Sequence, residues 1–153
     1  MTRFPLPDPM RRALDLAAAA AEAGEVPVGA VVVDAAGKTI GEGENRMRRN
    51  RDPSGHAEII ALRAAAAELG SERLDGCSLW VSLEPCAMCA GAISLARISK
   101  LYFAAEDPKG GAVLHGPRLY TQPTCHHRPD IMSGMGEEDA AAQLRDFFAA
   151  RRT

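Results

Sequence analysis

The sequence predicts an α/β fold in which one mixed sheet is sandwiched between helices. Two observations carry this. Short β-branched, apolar runs alternate with segments whose apolar residues recur at helical spacing. Their order, α-β-β-α-β-α-β-loop-α, is that of a layered α/β unit rather than of a bundle or a sandwich. A chain of 153 residues suits a single domain over 1–153. At this size roughly 68–70% of the unfolded surface is buried on folding, so a core needs no disulfides.

Each element has a local cause. Asp8 and Pro9 suit the start of a helix, after which Met10, Ala13, Leu14, Ala17 and Ala21 share a face and Gly24 ends the run. Residues 26–34 are β-branched and apolar, as a buried strand requires. A turn over 35–38 and a second strand over 39–45 complete a hairpin. The polar, arginine-rich stretch 46–55, broken by Pro53, reads as a loop. Ile59, Leu62, Ala66 and Leu69 mark a helix over 56–69 that Gly70 stops. A strand over 78–83, a helix over 85–97 and a buried strand over 99–104 follow. Residues 106–136 are irregular and rich in Gly, Pro and His. Leu144, Phe147 and Phe148 supply the apolar face of a last helix over 137–152.

Composition narrows the function classes. A hydrophobic fraction of 46% and a charged fraction of 25% exclude collagen-like and disulfide-scaffold chains and argue against wholesale disorder. A net charge of −2 gives no global sign of nucleic acid, although local basic patches can hide in a neutral total. No run approaches the roughly 20 apolar residues that span a bilayer, so no membrane partner is expected. The N-terminus has no signal-peptide apolar region, and the expected location is the cytoplasm. In that reducing compartment Cys77, Cys86, Cys89 and Cys125 are expected as thiols or metal ligands.

The chemistry concentrates in His56-Ala57-Glu58 and Pro85-Cys86-Ala87-Met88-Cys89, each at a predicted helix start. His56, Cys86 and Cys89 supply the three His/Cys ligands of a catalytic zinc site that keeps one position open. On an ideal helix Cys86 and Cys89 diverge by about 60°, so both can grip one ion. His56 and Glu58 would diverge by about 200° in mid-helix, but at a helix start both can face the metal. Glu58 is then the proton carrier beside a water that zinc activates. Taken singly, Cys-x-x-Cys is also a structural half-site or a redox pair, and a histidine at a helix start is also a cap. Together the elements form H-x-E…P-C-x-x-C, a recognised hallmark of zinc nucleobase deaminases.

The sequence resembles the bacterial tRNA-specific adenosine deaminases over almost its whole length. The likeness runs through 25–30, 41–45, Asp52-Pro53, 56–59, 61–63, 83–93 and 96–98. It continues in Asp107-Pro-Lys-Gly-Gly-Ala112 and in Asp146-Phe-Phe with Arg151-Arg152. The zinc motif specifies only the superfamily, and the last two segments narrow it to this family. The resemblance implies hydrolytic deamination of adenosine to inosine at the wobble position of a tRNA anticodon. It implies a three-layer α/β/α cytidine-deaminase-like fold with a mixed five-stranded sheet, one Zn2+ per subunit and a homodimer. The tRNA anticodon loop, that of an arginine tRNA, is the implied partner.

By position, His56, Cys86 and Cys89 look like the zinc ligands and Glu58 like the proton shuttle. Asn45 matches the asparagine that binds the flipped base, a role that an amide's donor and acceptor suit. The backbone of Ala57 is a natural donor to the oxygen that the metal activates. Asp107, Lys109, His126, Phe148 and Arg151 match RNA-contact positions. Of Phe147 and Phe148, one is expected in the core. The arginines at 46, 48, 49 and 51 form the densest basic run, either a solvated loop or a phosphate-attracting rim.

Two departures stand out. Thr124-Cys125-His126-His127-Arg128 replaces the common Asn-His-Arg, so that His126 stands for an asparagine. Ser54-Gly55 replaces Thr-Ala, adding backbone freedom beside His56. A competing reading is a deaminase of a free nucleobase or nucleoside of the guanine, cytosine or adenine type. A different class, a non-catalytic zinc protein, is disfavoured by the presence of Glu58.

Overall fold

The computed structural model describes residues 5–151; Arg152, the end of the last predicted helix, lies outside the described residues. Helix α1 (Asp8–Glu22) leads to strands β1 (Gly29–Val33) and β2 (Thr39–Glu44). Helix α2 (Ala57–Leu69), strand β3 (Ser78–Leu83), helix α3 (Ala87–Leu95) and strand β4 (Lys100–Ala105) follow. Strand β5 (Asp130–Ser133) and helix α4 (Glu137–Ala150) close the chain. The sheet order is β2-β1-β3-β4-β5. β1 is antiparallel to both β2 and β3, whereas β3–β4 and β4–β5 are parallel. The sheet is mixed because a short turn can reverse β1 into β2, while β3 reaches β4 only through the crossover helix α3.

Strand periodicity divides the core. Ala30, Val32, Leu79, Val81, Leu101 and Phe103 face α2 and α3. Val31, Val33 and Ala104 face α1 and α4 with Met10, Leu14 and Ala140. Covering both faces makes the central strands continuous apolar runs. Trp80 and Tyr102, paired on β3 and β4, stack at 3.7 Å on the α1 face. Helix α2 lies directly on β2, where a Cβ on Gly41 would fall 2.4 Å from the carbonyl oxygen of Ala61. The seam therefore requires glycine.

The residue-level reading places four strands, and the structure adds β5 inside the stretch read as irregular. It is a four-residue edge strand, half-exposed and preceded by Pro129, so neither alternation nor a long apolar run marks it. Pro7 rather than Asp8 occupies the cap position of α1, with Asp8 already helical. Gly70 ends α2 in the left-handed conformation at φ 65°, as expected.

Candidate active site and metal centre

The N-termini of α2 and α3 meet beside the end of β3. His56 and Cys86 are not the first residues of their helices but the caps that precede them. Both have extended backbones, with φ −77°, ψ 151° and φ −74°, ψ 177°. The 60° and 200° separations of an ideal helix therefore do not govern these pairs. Cys86 and His56 reach in from outside the first turn, Cys89 and Glu58 from within it. The His56 imidazole makes no capping bond to α2, which leaves it to face the two thiols.

His56 Nδ1 lies 3.5 Å from Cys86 Sγ and 3.5 Å from Cys89 Sγ, and all three ligand atoms fall within 4.8 Å of one another. The Cys86 thiol is pushed down to about 4, chiefly by the hydrogen bond from Cys89 and with help from His56. Cys89 is raised by the same hydrogen bond, so the two sulfurs share one proton. One anionic sulfur, a second thiol and an imidazole within reach of one point suit a divalent zinc ion, whose binding would expel the Cys89 proton.

Glu58 is 4% exposed and lies in the same cavity. Burial pushes its carboxyl up to about 7, and the negative Cys86 sulfur adds to this. It can therefore hold and release a proton near neutral pH. The cavity has a volume of about 220 Å³; Asn45, Ala57, Glu58 and Asp107 are among its lining residues, with Val26 and Leu83 as apolar walls. Asn45 is 7% exposed; its Nδ2 donates to Val26 O at 3.4 Å and its Oδ1 accepts from Met47 N at 3.3 Å. Ala57 is fully buried and opens α2, where first-turn amides lack helical acceptors.

Asp107 Oδ1 accepts from the amides of Lys109 (3.2 Å) and Gly110 (3.0 Å), so part of this carboxylate shapes its own turn. Lys109, Phe148 and Arg151 line an adjoining cavity of about 650 Å³ that shares Val26, Leu83 and Asp107 with the first. Phe147 is in the core and Phe148 is half exposed, as expected of such a pair. Arg151 lies 3.4 Å over the ring of Phe147, not Phe148, and donates to Phe147 O.

His126 is the site candidate that the fold does not bring to this pocket. It lines a separate depression with Gly91, Ser94, Arg97 and Leu119 at the far end of α3. Nine helical residues separate the two ends, about 13 Å at 1.5 Å per residue. Its neighbours are tied to backbone: His127 Nε2 donates to Ile98 O at 2.6 Å and Arg128 Nε to Tyr120 O. Gly55 is buried but has no left-handed backbone, so glycine's extra freedom is not what the site uses there.

Two residues that the sequence reading passed over organise the rim. Glu25, 1% exposed, accepts from the amides of Arg48 (3.1 Å) and Arg49 (2.9 Å) and from Arg49 Nε (3.1 Å). Arg49 also reaches Glu44, and Arg46 pairs with Glu44. Half of the basic run is thus neutralised internally, while Arg48 and Arg51 stay exposed. Glu84, 2% exposed, plays the matching part for the segment beginning at Asp107. For Glu84 the available sequence signal was a single acid between an apolar strand and Pro85, since an acid there is buried only at a cost.

Residues 7–105 match the family described as the cytidine and deoxycytidylate deaminase zinc-binding region. The chain is 52% identical over 143 residues to the tRNA-specific adenosine deaminase of Agrobacterium fabrum, covering 94% of this chain and 93% of that protein. A solved structure from work on A-to-I editing by tRNA:A34 deaminases at the wobble position of transfer RNA is also similar. It has a TM-score of 0.87 at 52% identity, with 89% of this chain and 98% of that one covered. Guanine deaminase from Nitrosomonas europaea is similar at 28% identity and TM-score 0.80, with 96% and 87% covered.

Proposed function

The chain belongs to the cytidine and deoxycytidylate deaminase family, in its tRNA-specific adenosine deaminase branch, and on that premise we propose that it converts adenosine to inosine at the wobble position of a tRNA anticodon. The fold is the cytidine-deaminase-like α/β/α sandwich, and the reaction is hydrolytic: water replaces the amino group of the purine and ammonia leaves. The observation that carries the reading is the buried Glu58, poised near neutrality, in one cavity with His56 and Cys86.

His56, Cys86 and Cys89 would hold one zinc ion per chain, which supplies Lewis-acid activation of the attacking water. Glu58 takes a proton from the water, delivers it to a ring nitrogen and then protonates the leaving amine. The Ala57 amide donates toward the oxygen side of the reacting carbon. Val26 and Leu83 flank the base, and the Asn45 amide reads its edge. An unpaired anticodon base can be splayed into a pocket of this size with little unstacking cost.

Lys109, Phe148 and Arg151 form the wall of the adjoining cavity, and they suit flanking nucleotides through charge and stacking. This groove favours a loop substrate over a free base, the competing activity suggested by the guanine deaminase likeness. The arginine tRNA rests on the family resemblance. The chain, 1–153, acts as one deaminase domain, and a cytoplasmic location follows from the tRNA-deaminase likeness. Among the described residues no helix is long and apolar enough to cross a membrane. A homodimer is supported by the outer face of α3, where Met88 and Leu95, seven residues apart, are 40% and 79% exposed. His126 at that end of α3 would then meet RNA only through the dimer.

The decisive experiment incubates purified enzyme with an arginine tRNA anticodon stem-loop and, separately, with adenine, adenosine, guanine and cytosine. Inosine at the wobble position by sequencing is expected. Turnover confined to free bases or nucleosides would overturn the reading.

A further inference from the structure

We propose that Glu84 is a positioning residue that ties the metal-ligand turn to the substrate loop, with His115 closing the clamp. The proposal rests on the deaminase reading for its kinetic consequence, though not for its geometry.

Glu84 lies between the end of β3 and Pro85-Cys86, and its side chain is fully buried. Five donors converge on its carboxylate, all from one loop. Oε1 accepts from Asp107 N at 3.0 Å and from His115 Nδ1 at 2.8 Å. Oε2 accepts from the amides of Val113 (3.1 Å), Leu114 (2.9 Å) and His115 (3.2 Å). An isolated buried carboxylate is strongly disfavoured, and this density of donors is what allows it here. The donors in turn lie in an irregular segment whose amides lack ladder partners, so Glu84 acts as their common acceptor.

The loop closes tightly on this anion. A Cβ on Gly111 would lie 2.4 Å from the Glu84 carboxylate, which no side chain permits. His115 is only partly buried, and its Nε2 lies 3.7 Å from Glu106, the residue before Asp107. It therefore staples the loop's two ends together. Asp107 and Glu84 both line the reaction cavity, and Cys86 is two residues from Glu84. Displacing the carboxylate shifts Asp107 relative to the metal ligands. None of the five bonds to Glu84 involves Glu58, which stands on α2, so the clamp should govern substrate binding more than the proton transfers.

The test compares His115→Ala, His115→Asn and Glu84→Gln in the full-length, zinc-loaded protein. The Asn side-chain amide can occupy the position of Nδ1. In His115→Ala, full zinc content is expected, with amide hydrogen exchange over 107–115 faster by about tenfold, the equivalent of one charge-assisted hydrogen bond. KM for an anticodon stem-loop should rise about tenfold while kcat stays within about twofold. His115→Asn should recover most of both effects. Glu84→Gln sets an amide NH2 against the Asp107 or the 113–115 amides and should exceed His115→Ala in both readouts. Unchanged exchange and KM in His115→Ala would overturn the proposal, as would a fall in kcat at constant KM. If the wild type leaves the stem-loop unconverted, the functional reading fails, and the exchange data alone decide the clamp. If Glu84→Gln does not fold, the two His115 variants decide it.

Discussion

A Cβ on Gly43 would lie 2.3 Å from the carbonyl oxygen of Ala57. Together with the approach of Gly41 to Ala61, it sets how closely α2 lies on β2, here one residue from His56. Gly43→Ala must therefore push away the first turn of α2. We expect a loss of about 1–3 kcal/mol, the usual cost of overpacking, together with weaker zinc retention. Thermal unfolding and zinc content after dialysis check both.

Cys86→Ser removes the sulfur that carries the negative charge of the thiol pair. The variant should lose zinc on dialysis while the wild type retains it. Zinc binding to the wild type should also release protons, because Cys89 keeps its hydrogen in the metal-free state. Calorimetry in buffers of different ionisation enthalpy reads that release. Stoichiometric zinc in Cys86→Ser would show the ligand to be misassigned.

Glu58→Gln should keep zinc and lose deamination by about 10²–10⁴-fold or more, the range of a general acid–base group. Metal analysis alongside single-turnover kinetics separates this from loss of the site. Retained turnover would remove Glu58 from the proton path.

Glu25 predicts a pH dependence of stability. Burial raises its pKa, but the Arg49 and Arg48 amides and the Arg49 guanidinium outweigh it, so the group sits below its ordinary 4.5 in the folded chain. The unfolded state then binds the proton more tightly. The stabilisation is complete above about 4.5 and is lost as pH falls through the lowered value. Glu25→Gln should flatten the acid limb of stability against pH. It should also cost about 2–4 kcal/mol at neutral pH by weakening three bonds to a charged acceptor. Denaturant titrations between pH 3 and pH 7 (about the range in which a carboxylate responds) test the sign.

The basic run should divide into two kinds of residue. Arg49 is held by Glu25 and Glu44, so Arg49→Ala should lower stability with little change in the salt dependence of RNA binding. Arg51 is exposed, so Arg51→Ala should leave stability within about 0.5 kcal/mol and reduce the salt slope by about 1. Binding to a stem-loop across a salt series distinguishes them.

Much of this molecule could be read from local signals. Four strands and four helices follow from periodicity and punctuation, and Gly24 and Gly70 mark ends that the backbone confirms with positive φ. β5 could not be read, because four half-exposed residues at a sheet edge carry no pattern. The candidate metal ligands were legible because His56-Ala57-Glu58 and Pro85-Cys86-Ala87-Met88-Cys89 together form a pattern that neither makes alone. The place of His126 could not be read locally: its segment resembles an RNA-contact motif, while α3 holds it at the opposite end from Cys86.

The sequence by itself determined the layered α/β architecture and singled out His56, Cys86, Cys89 and Glu58 as candidate ligands and proton carrier, because each reading depends on residue type and short-range spacing. Tertiary structure decided which charges do structural work. In the sequence, Glu25, Glu84 and Arg49 look like ordinary solvated groups. They become clamps only when loops fold over them, because a carboxylate's burial is tolerable only where backbone amides from distant positions converge. That convergence is a property of the packed chain, and it holds both walls of the pocket around Glu58.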